Sequence, residues 1–255
     1  VLQQVRMANE TAFAYSRYLR AKKTVDDRAI NLYVYRALES LAQQRQDAKP
    51  FRIIEVGGGI GTMVERFLEN RFFEPFQSVE YELIDSNSSN IITAADRLIE
   101  WALKRGLKIE RKSSQSAASL VLGTAKPESS STVHHQQATD PFVITLTIFQ
   151  SIDDCSRSIS ITLQCIDLDE FLAVSTLCKR DLLIAAAFLD LVDIPSTLPR
   201  LFALIPRGLF YFPINFDGAT HLQPNICGVL DDEVEAAYHA SMDSACQQGT
   251  TIEQR

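Results

Sequence analysis

Hydrophobic positions along the chain follow two spacings, and these spacings predict strands that alternate with helices. A short β-branched segment, residues 51–56, ends at a glycine and precedes residues 62–70, where apolar residues recur at helical spacing. The same order repeats with a strand at 79–84 and a helix from about 91 to 105. Strands that alternate with helices in this way predict a parallel sheet joined by crossover helices.

The alternation extends to both ends of the chain. Between residues 7 and 41 apolar residues recur at helical spacing, which predicts two helices separated by a break near residues 23–26. In the second half we predict strands at 160–166, 181–186 and 209–214, and helices at 169–175, 198–204 and 231–247. The expected fold is α/β, with a doubly wound, mainly parallel, Rossmann-like sheet in residues 49–255 and an N-terminal helical cap in residues 1–48.

Residues 112–158 interrupt this pattern and are rich in Ser, Thr and Gln. Within them, residues 118–122 and 142–149 have the composition of strands, so we predict an inserted Ser-rich β-hairpin or loop. The pair His134 and His135 lies in this polar segment without other metal-ligating residues at suitable spacing. We therefore expect no metal site there.

Charge and composition argue against several classes of partner. The 25 Lys and Arg residues against 32 Asp and Glu residues give a net charge of −7, so the chain has no excess of cations with which to neutralise a phosphate backbone. The longest apolar run, residues 182–189, is too short to cross a membrane. Five widely spaced cysteines without a CxxC pair are typical of a reducing compartment. We expect a cytoplasmic protein with neither nucleic acid nor membrane as its partner.

The most informative segment is residues 55–62, which read Glu-Val-Gly-Gly-Gly-Ile-Gly-Thr. Glycines allow a sharp turn and a close approach of the backbone to a ligand, and the following helix presents unpaired N–H groups. A dinucleotide-binding turn has its third glycine where this chain has Thr62. The glycines at positions 57, 59 and 61 therefore fit a nicotinamide dinucleotide less well than they fit another cofactor.

This segment resembles motif I of the class I S-adenosylmethionine-dependent methyltransferases. The resemblance covers residues 51–216 apart from the insertion, and it implies that the cofactor is S-adenosylmethionine. It implies that Asp85 hydrogen-bonds the ribose hydroxyls and that Asp167 lies near the adenine amino group, although either carboxylate has the alternative role of a helix N-cap. The cofactor-binding residues implied are Glu55, Gly57, Gly59, Gly61, Asp85, Ser86, Asp167, Leu168 and Ala186.

The resemblance also implies in-line transfer of a methyl group, for which the protein must align a nucleophile and exclude water. Residues 185–188 lack the Asn/Asp-Pro-Pro-aromatic motif of base and amide N-methyltransferases, which leaves a small-molecule acceptor as the expected substrate. The catalytic candidates are His221, Asp190 and Asp217, and the substrate-binding candidates are Tyr18, Phe188, Tyr211 and Asn215.

Two other functions stay open from the sequence. A NAD(P)-dependent oxidoreductase would share the sheet and Asp85, and a non-catalytic Rossmann-like interaction module would share the fold alone. We expect a monomer or a homodimer. Class I methyltransferases normally add two strands after the fifth parallel strand, and residues 248–255 are too few to form them, so we expect the C-terminal strands to be missing from this chain.

Overall fold

A seven-stranded sheet lies at the centre of the protein. The computed structural model describes residues 17–45, 50–115, 142–152, 155–175, 180–214, 224 and 227–247. The strands are β1 (Phe51–Val56), β2 (Ser78–Asp85), β3 (Lys108–Gln115), β4 (Phe142–Ile152), β5 (Cys155–Cys165), β6 (Leu182–Ile184) and β7 (Leu209–Tyr211). The helices are α1 (residues 17–29), α2 (Leu32–Gln43), α3 (Thr62–Glu69), α4 (Ser88–Lys104), α5 (Leu168–Val174), α6 (Ile194–Ala203) and α7 (Gly228–Gln247).

The strand order is β3-β4-β5-β2-β1-β6-β7. Strands β5, β2, β1, β6 and β7 are parallel, whereas β4 is antiparallel to both of its neighbours. From β1 the chain proceeds to β2 and β5 on one side, and it later returns to β6 and β7 on the other side. The sheet is therefore doubly wound, as the sequence predicted, with its topological switch point between β1 and β6.

Helices cover both faces of the central strands and define two hydrophobic cores. The larger core lies between the sheet and helices α2, α3 and α4, where Phe67 is fully buried and stacks on Phe72 with ring centroids 4.2 Å apart. The smaller core lies beneath α5 and α6 and includes Phe171 and Leu201. Because both faces of β1 are covered, four of its six residues are apolar, and only Arg52 and Glu55 are polar.

The antiparallel strands arise from the segment that interrupts the sequence pattern. The strand predicted at 142–149 is confirmed as β4, but its partners are β3 and β5, while residues 118–122 lie outside the described residues. Strand β3 was not predicted, because its sequence contains Ile109 as its one apolar residue and its structure depends on pairing with β4. Among the described residues, β7 is the last strand on the opposite edge, and no strand follows it.

The predicted break near residues 23–26 is wrong. Helix α1 continues through this segment, where the pairs Lys22–Asp26 and Lys23–Asp27 have the i,i+4 spacing that stabilises a helix. The break comes at Asn31, whose side chain accepts hydrogen bonds from two backbone N–H groups at the start of α2. An N-capping asparagine, rather than the run of charges, separates the two helices.

Helix α6 and strands β6 and β7 also differ from the sequence prediction at their ends. Helix α6 begins at Ile194 rather than at residue 198, because Asp193 caps it and a proline occupies its first turn. Strands β6 and β7 have three residues each and are shorter than predicted. Beyond β6, Ala185 and Ala187 still donate backbone hydrogen bonds to Tyr211 and Pro213, and the chain then forms the loop beside the switch point.

Candidate functional site

The candidate site lies at the carboxyl edge of the parallel strands, around the switch point between β1 and β6. Ligands of open α/β sheets bind in the crevice at such a point, because the loops after the two strands diverge to opposite faces. The loop after β1 is the glycine turn, and the loop after β6 contains a 3₁₀ turn at Leu189–Leu191. The ends of β2 and β5 continue the same edge.

Glycine is required throughout the turn, for two different reasons. Gly57, Gly59 and Gly61 have φ angles of +62°, +54° and +74°, which L side chains rarely adopt. A Cβ atom at Gly58 would lie 2.3 Å from Cγ of Leu83, so this position is closed by packing instead. Gly57 and Gly59 are partly exposed, and they are the points at which a ligand can reach the backbone.

Asp85 holds the glycine turn against the start of α4. Its Oδ2 accepts a hydrogen bond from the backbone N–H of Gly59 at 2.8 Å, and its Oδ1 accepts from the N–H of Asn87 and from the side-chain amide of Asn90. The N-cap of α4 is Asn87, so the alternative role of Asp85 as an N-cap is wrong. Asp85 is partly exposed, and so it both shapes the turn and presents a carboxylate at the end of β2.

Glu55 lies beneath the turn and is 2% exposed. Its Oε2 accepts a hydrogen bond of 2.7 Å from the hydroxyl of Tyr81 on β2. Burial raises the pKa of Glu55 to about 8, although the Tyr81 hydrogen bond and the charge of Arg66 act in the opposite direction. The carboxyl group of Glu55 is therefore mostly protonated at neutral pH. In this structure it contacts the interior, not the surface where a cofactor would bind.

At the end of β5, Asp167 and Leu168 begin the next helix. Asp167 is exposed and caps α5 by accepting a hydrogen bond of 2.7 Å from the N–H of Asp169. The alternative role as an N-cap is therefore correct for this residue. Its carboxylate is exposed at the same edge of the sheet as Asp85. The capping role is therefore compatible with the expected contact to an adenine group, which stays a prediction.

The loop after β6 contacts the glycine turn directly. The ring of Phe188 lies so close to Gly57 that a Cβ atom there would be 2.1 Å from its Cδ2. Ala187, between Ala186 and Phe188, has a φ of +50°, a strained conformation of the kind that accumulates at functional sites. Three residues after Ala187, Oδ1 of Asp190 is buried and has no hydrogen-bond partner in the described part of the chain. A buried acceptor without a donor needs an explanation, which a ligand would supply.

The remaining candidates are not all found at this edge. Tyr211 is 5% exposed and packs in the large core against Tyr35, so it does not line the surface. Tyr18 lies on α1 and is 55% exposed. Asn215, Asp217 and His221 lie outside the described residues.

Sequence reasoning missed the residues that support the turn from the other elements. Leu19 on α1 lies against Gly59, with its Cδ1 3.5 Å from where a Cβ atom would stand. Tyr81 on β2 donates a hydrogen bond to Glu55, and the charge of Arg66 on α3 lowers the pKa of Glu55. Apolar spacing indicates that such residues are buried or half-buried. It does not indicate which residues of different helices and strands contact one another.

In the part of the chain that the structure describes, no group of three or more His, Cys, Asp or Glu side chains is arranged to hold a metal ion. None of the described helices combines the length and the apolar character needed to cross a membrane.

Comparisons with known proteins complete the description of the site. No protein-family model matches the chain, and no curated protein sequence matches it. Among solved structures, it is similar to the crystal structure of the plantazolicin methyltransferase BpumL in complex with a pentazolic desmethylPZN analogue and SAH, with 12% sequence identity and a TM-score of 0.38. The match covers 86% of this chain and 63% of that chain. A likeness this low does not assign a function, which must be argued from the residues of the site.

Proposed function

We propose that this protein is an S-adenosylmethionine-dependent methyltransferase that acts on a small-molecule acceptor. The observation that supports this most strongly is the glycine turn at the switch point, with Gly57, Gly59 and Gly61 in left-handed conformations. The carboxylate of Asp85, at the end of the neighbouring strand, is bonded to this turn. The glycine turn and Asp85 therefore resemble motif I in their position in the fold as well as in their sequence.

The residues present fit the proposed cofactor. Gly57 and Gly59 offer an exposed backbone surface, and Asp85 offers a carboxylate suited to a ribose diol. Within the described part of the chain no side chain caps the start of α3, where Gly61 is the N-cap, so the N–H groups of its first turn suit the carboxylate of an amino acid. Bound there, S-adenosylmethionine would supply a methyl group on a sulfonium, which is already activated for attack by a nucleophile.

Asp190 is the residue best placed to serve the acceptor. Its buried Oδ1 lies two residues beyond Phe188, which packs on Gly57, and no donor for it is found among the described residues. A buried hydrogen-bond acceptor without a donor costs about 1–3 kcal/mol. An acceptor with an O–H or N–H group supplies that donor. Asp190 would then orient the nucleophile and take its proton as the bond from the nucleophile to the methyl carbon forms and the bond from that carbon to sulfur breaks, with its electron pair leaving on sulfur. Phe188 contributes an apolar wall that excludes water from this side of the crevice.

The cofactor class is tested by calorimetric titration of the purified chain with S-adenosylhomocysteine and, separately, with NADH. We expect binding of S-adenosylhomocysteine alone. Binding of NADH alone would replace the proposal with an oxidoreductase, for which Asp85 would serve equally well as the ribose ligand. Binding of neither compound would favour an interaction module without a catalytic role.

The role of Asp190 is tested with the variant Asp190→Asn. With a radiolabelled methyl donor and a panel of phenols, carboxylic acids and amines as acceptors, turnover of the best acceptor should fall by about 10²–10⁴-fold, the usual contribution of a general base. Affinity for S-adenosylhomocysteine should stay within twofold of the wild type. Asp193→Asn is the matched control, because Asp193 caps α6 and has no part in the proposed chemistry. Equal turnover of the wild type and Asp190→Asn would exclude Asp190 as the base.

A further inference from the structure

Helix α1 lies beside the glycine turn with little burial of its own side chains. Every residue from 17 to 29 is at least partly exposed, and Ile30, just after the helix ends, is the first buried residue in the described part of the chain. Tyr18 and Val25, two of its larger apolar residues, are each more than half exposed. Since burial of an apolar face is the usual source of helix docking, polar contacts have a larger share in fixing the position of α1.

Ionic contacts join α1 to α3. The guanidinium of Arg66 on α3 donates two hydrogen bonds to Oδ1 of Asp27, the one from Nε at 2.9 Å. One turn earlier, Nζ of Lys23 lies 3.6 Å from Glu69 and 3.9 Å from Glu65. These residues connect the two helices along their length.

The Arg66–Asp27 pair is the strongest of these contacts, because its cation is buried. The side chain of Arg66 is 8% exposed, whereas that of Asp27 is 36% exposed. Burial by itself raises the pKa of Asp27, but the hydrogen bonds and charges of Arg66 and Lys23 lower it below its ordinary value. Without Asp27, the buried cation would keep a contact of 3.4 Å to the sulfur of Met63 but would lose its carboxylate.

The same helix carries Leu19, whose Cδ1 lies against Gly59 at the exposed part of the glycine turn. We propose that the Arg66–Asp27 ion pair is a positioning pair, which fixes α1 so that Leu19 forms one wall of the ligand site above Gly59. Asp27 touches no ligand and acts through Leu19. The inference rests on the proposed function for the identity of the ligand, but not for the docking of α1.

The test compares Asp27→Asn with Asp26→Asn, a matched control on the same helix. Asp26 forms its ion pair with Lys22 within α1. Hydrogen exchange of the intact chain should become faster in residues 17–29 and in the turn 57–61 for Asp27→Asn, and stay unchanged for Asp26→Asn. Affinity for S-adenosylhomocysteine should fall about tenfold in Asp27→Asn, as expected for loss of a partly buried ion pair, and Asp27→Glu should restore part of it.

A double-mutant cycle separates a positioning role from a general loss of stability. If Asp27 acts through Leu19, the change Asp27→Asn should weaken binding much less in a Leu19→Ala background than in the wild type. Full additivity of the two changes, or wild-type affinity in Asp27→Asn, would overturn the inference. If the wild type fails to bind S-adenosylhomocysteine, the proposed function falls, and hydrogen exchange alone then decides. Equal exchange in the Asp27 and Asp26 variants would refute the docking role.

Discussion

The buried carboxyl group of Glu55 links the stability of the protein to pH in a direction that is unusual for an acidic side chain. Its pKa is raised from 4.5 to about 8, so between these values the folded state keeps a proton that the unfolded state has lost. Its contribution is fully present below pH 4.5 and is lost as pH rises through 8. At about 1.4 kcal/mol per pH unit, the loss across the whole window is about 5 kcal/mol.

The variant Glu55→Gln removes this titration while keeping the shape of the side chain and an oxygen that accepts from Tyr81. The free energy of unfolding of wild type and variant, measured in urea from pH 5 to pH 8, should change differently. Over these three pH units, the free energy of unfolding of the variant should rise by about 4 kcal/mol relative to that of the wild type. In a Tyr81→Phe background the gain should be at least as large, because the hydrogen bond from Tyr81 lowers the pKa of Glu55.

A difference between wild type and Glu55→Gln that stays constant over this range would refute the reasoning. It would mean that Glu55 has an ordinary pKa in the folded protein and is ionised beneath the turn. A difference that shrinks with rising pH would be a stronger contradiction, because the folded state would then favour the carboxylate.

Two substitutions test the geometry of the glycine turn by urea denaturation. Gly57→Ala should destabilise the protein by about 2–4 kcal/mol and weaken binding of S-adenosylhomocysteine, because the added Cβ would combine a φ of +62° with a clash against Phe188. Gly106→Ala, with a φ of +67° but open space around it, should cost only about 1–2 kcal/mol, and equal losses in both variants would show that the clash relaxes. Asp85→Asn should lower stability by about 1–3 kcal/mol as well as ligand affinity, since the carboxylate accepts from the N–H of Gly59. Unchanged stability in Asp85→Asn would show that this bond does not hold the turn.

The order of strands and helices could be predicted from the sequence wherever apolar spacing reflects burial on both faces of the sheet. Strands β1 and β2 and helix α4 were found within a few residues of their bounds. Strand β3 could not be found, because its polar sequence is made regular by hydrogen bonds to β4, a long-range contact. The predicted break before α2 was misplaced for two reasons. The charged run near residues 23–26 forms i,i+4 ion pairs that stabilise the helix, and the helix ends instead just before Asn31, which caps α2.

Part of the site could be predicted for a similar reason. Left-handed conformations require glycine, so Gly57, Gly59 and Gly61 mark the turn in the sequence itself. The partners of Asp85 and the contact of Leu19 with Gly59 depend on how separate elements pack, and no local pattern records them. The assignment of Tyr211 to the substrate site is not supported, because Tyr35 on α2 packs against it, and the sequence does not indicate this long-range contact.

The separation between β1 and β6 in the sequence has a consequence for how the protein folds. Strands β4 and β5 are joined by two residues and can pair within microseconds, whereas β1 and β6 must close a loop that includes most of the other strands. Because closing this long loop costs entropy, we expect the pairing of β1 with β6 to come after that of β4 with β5. The crevice at the switch point is built by the pairing of β1 with β6, so we expect the candidate site to form late in folding. A ligand that binds there selects molecules in which the whole sheet has been completed.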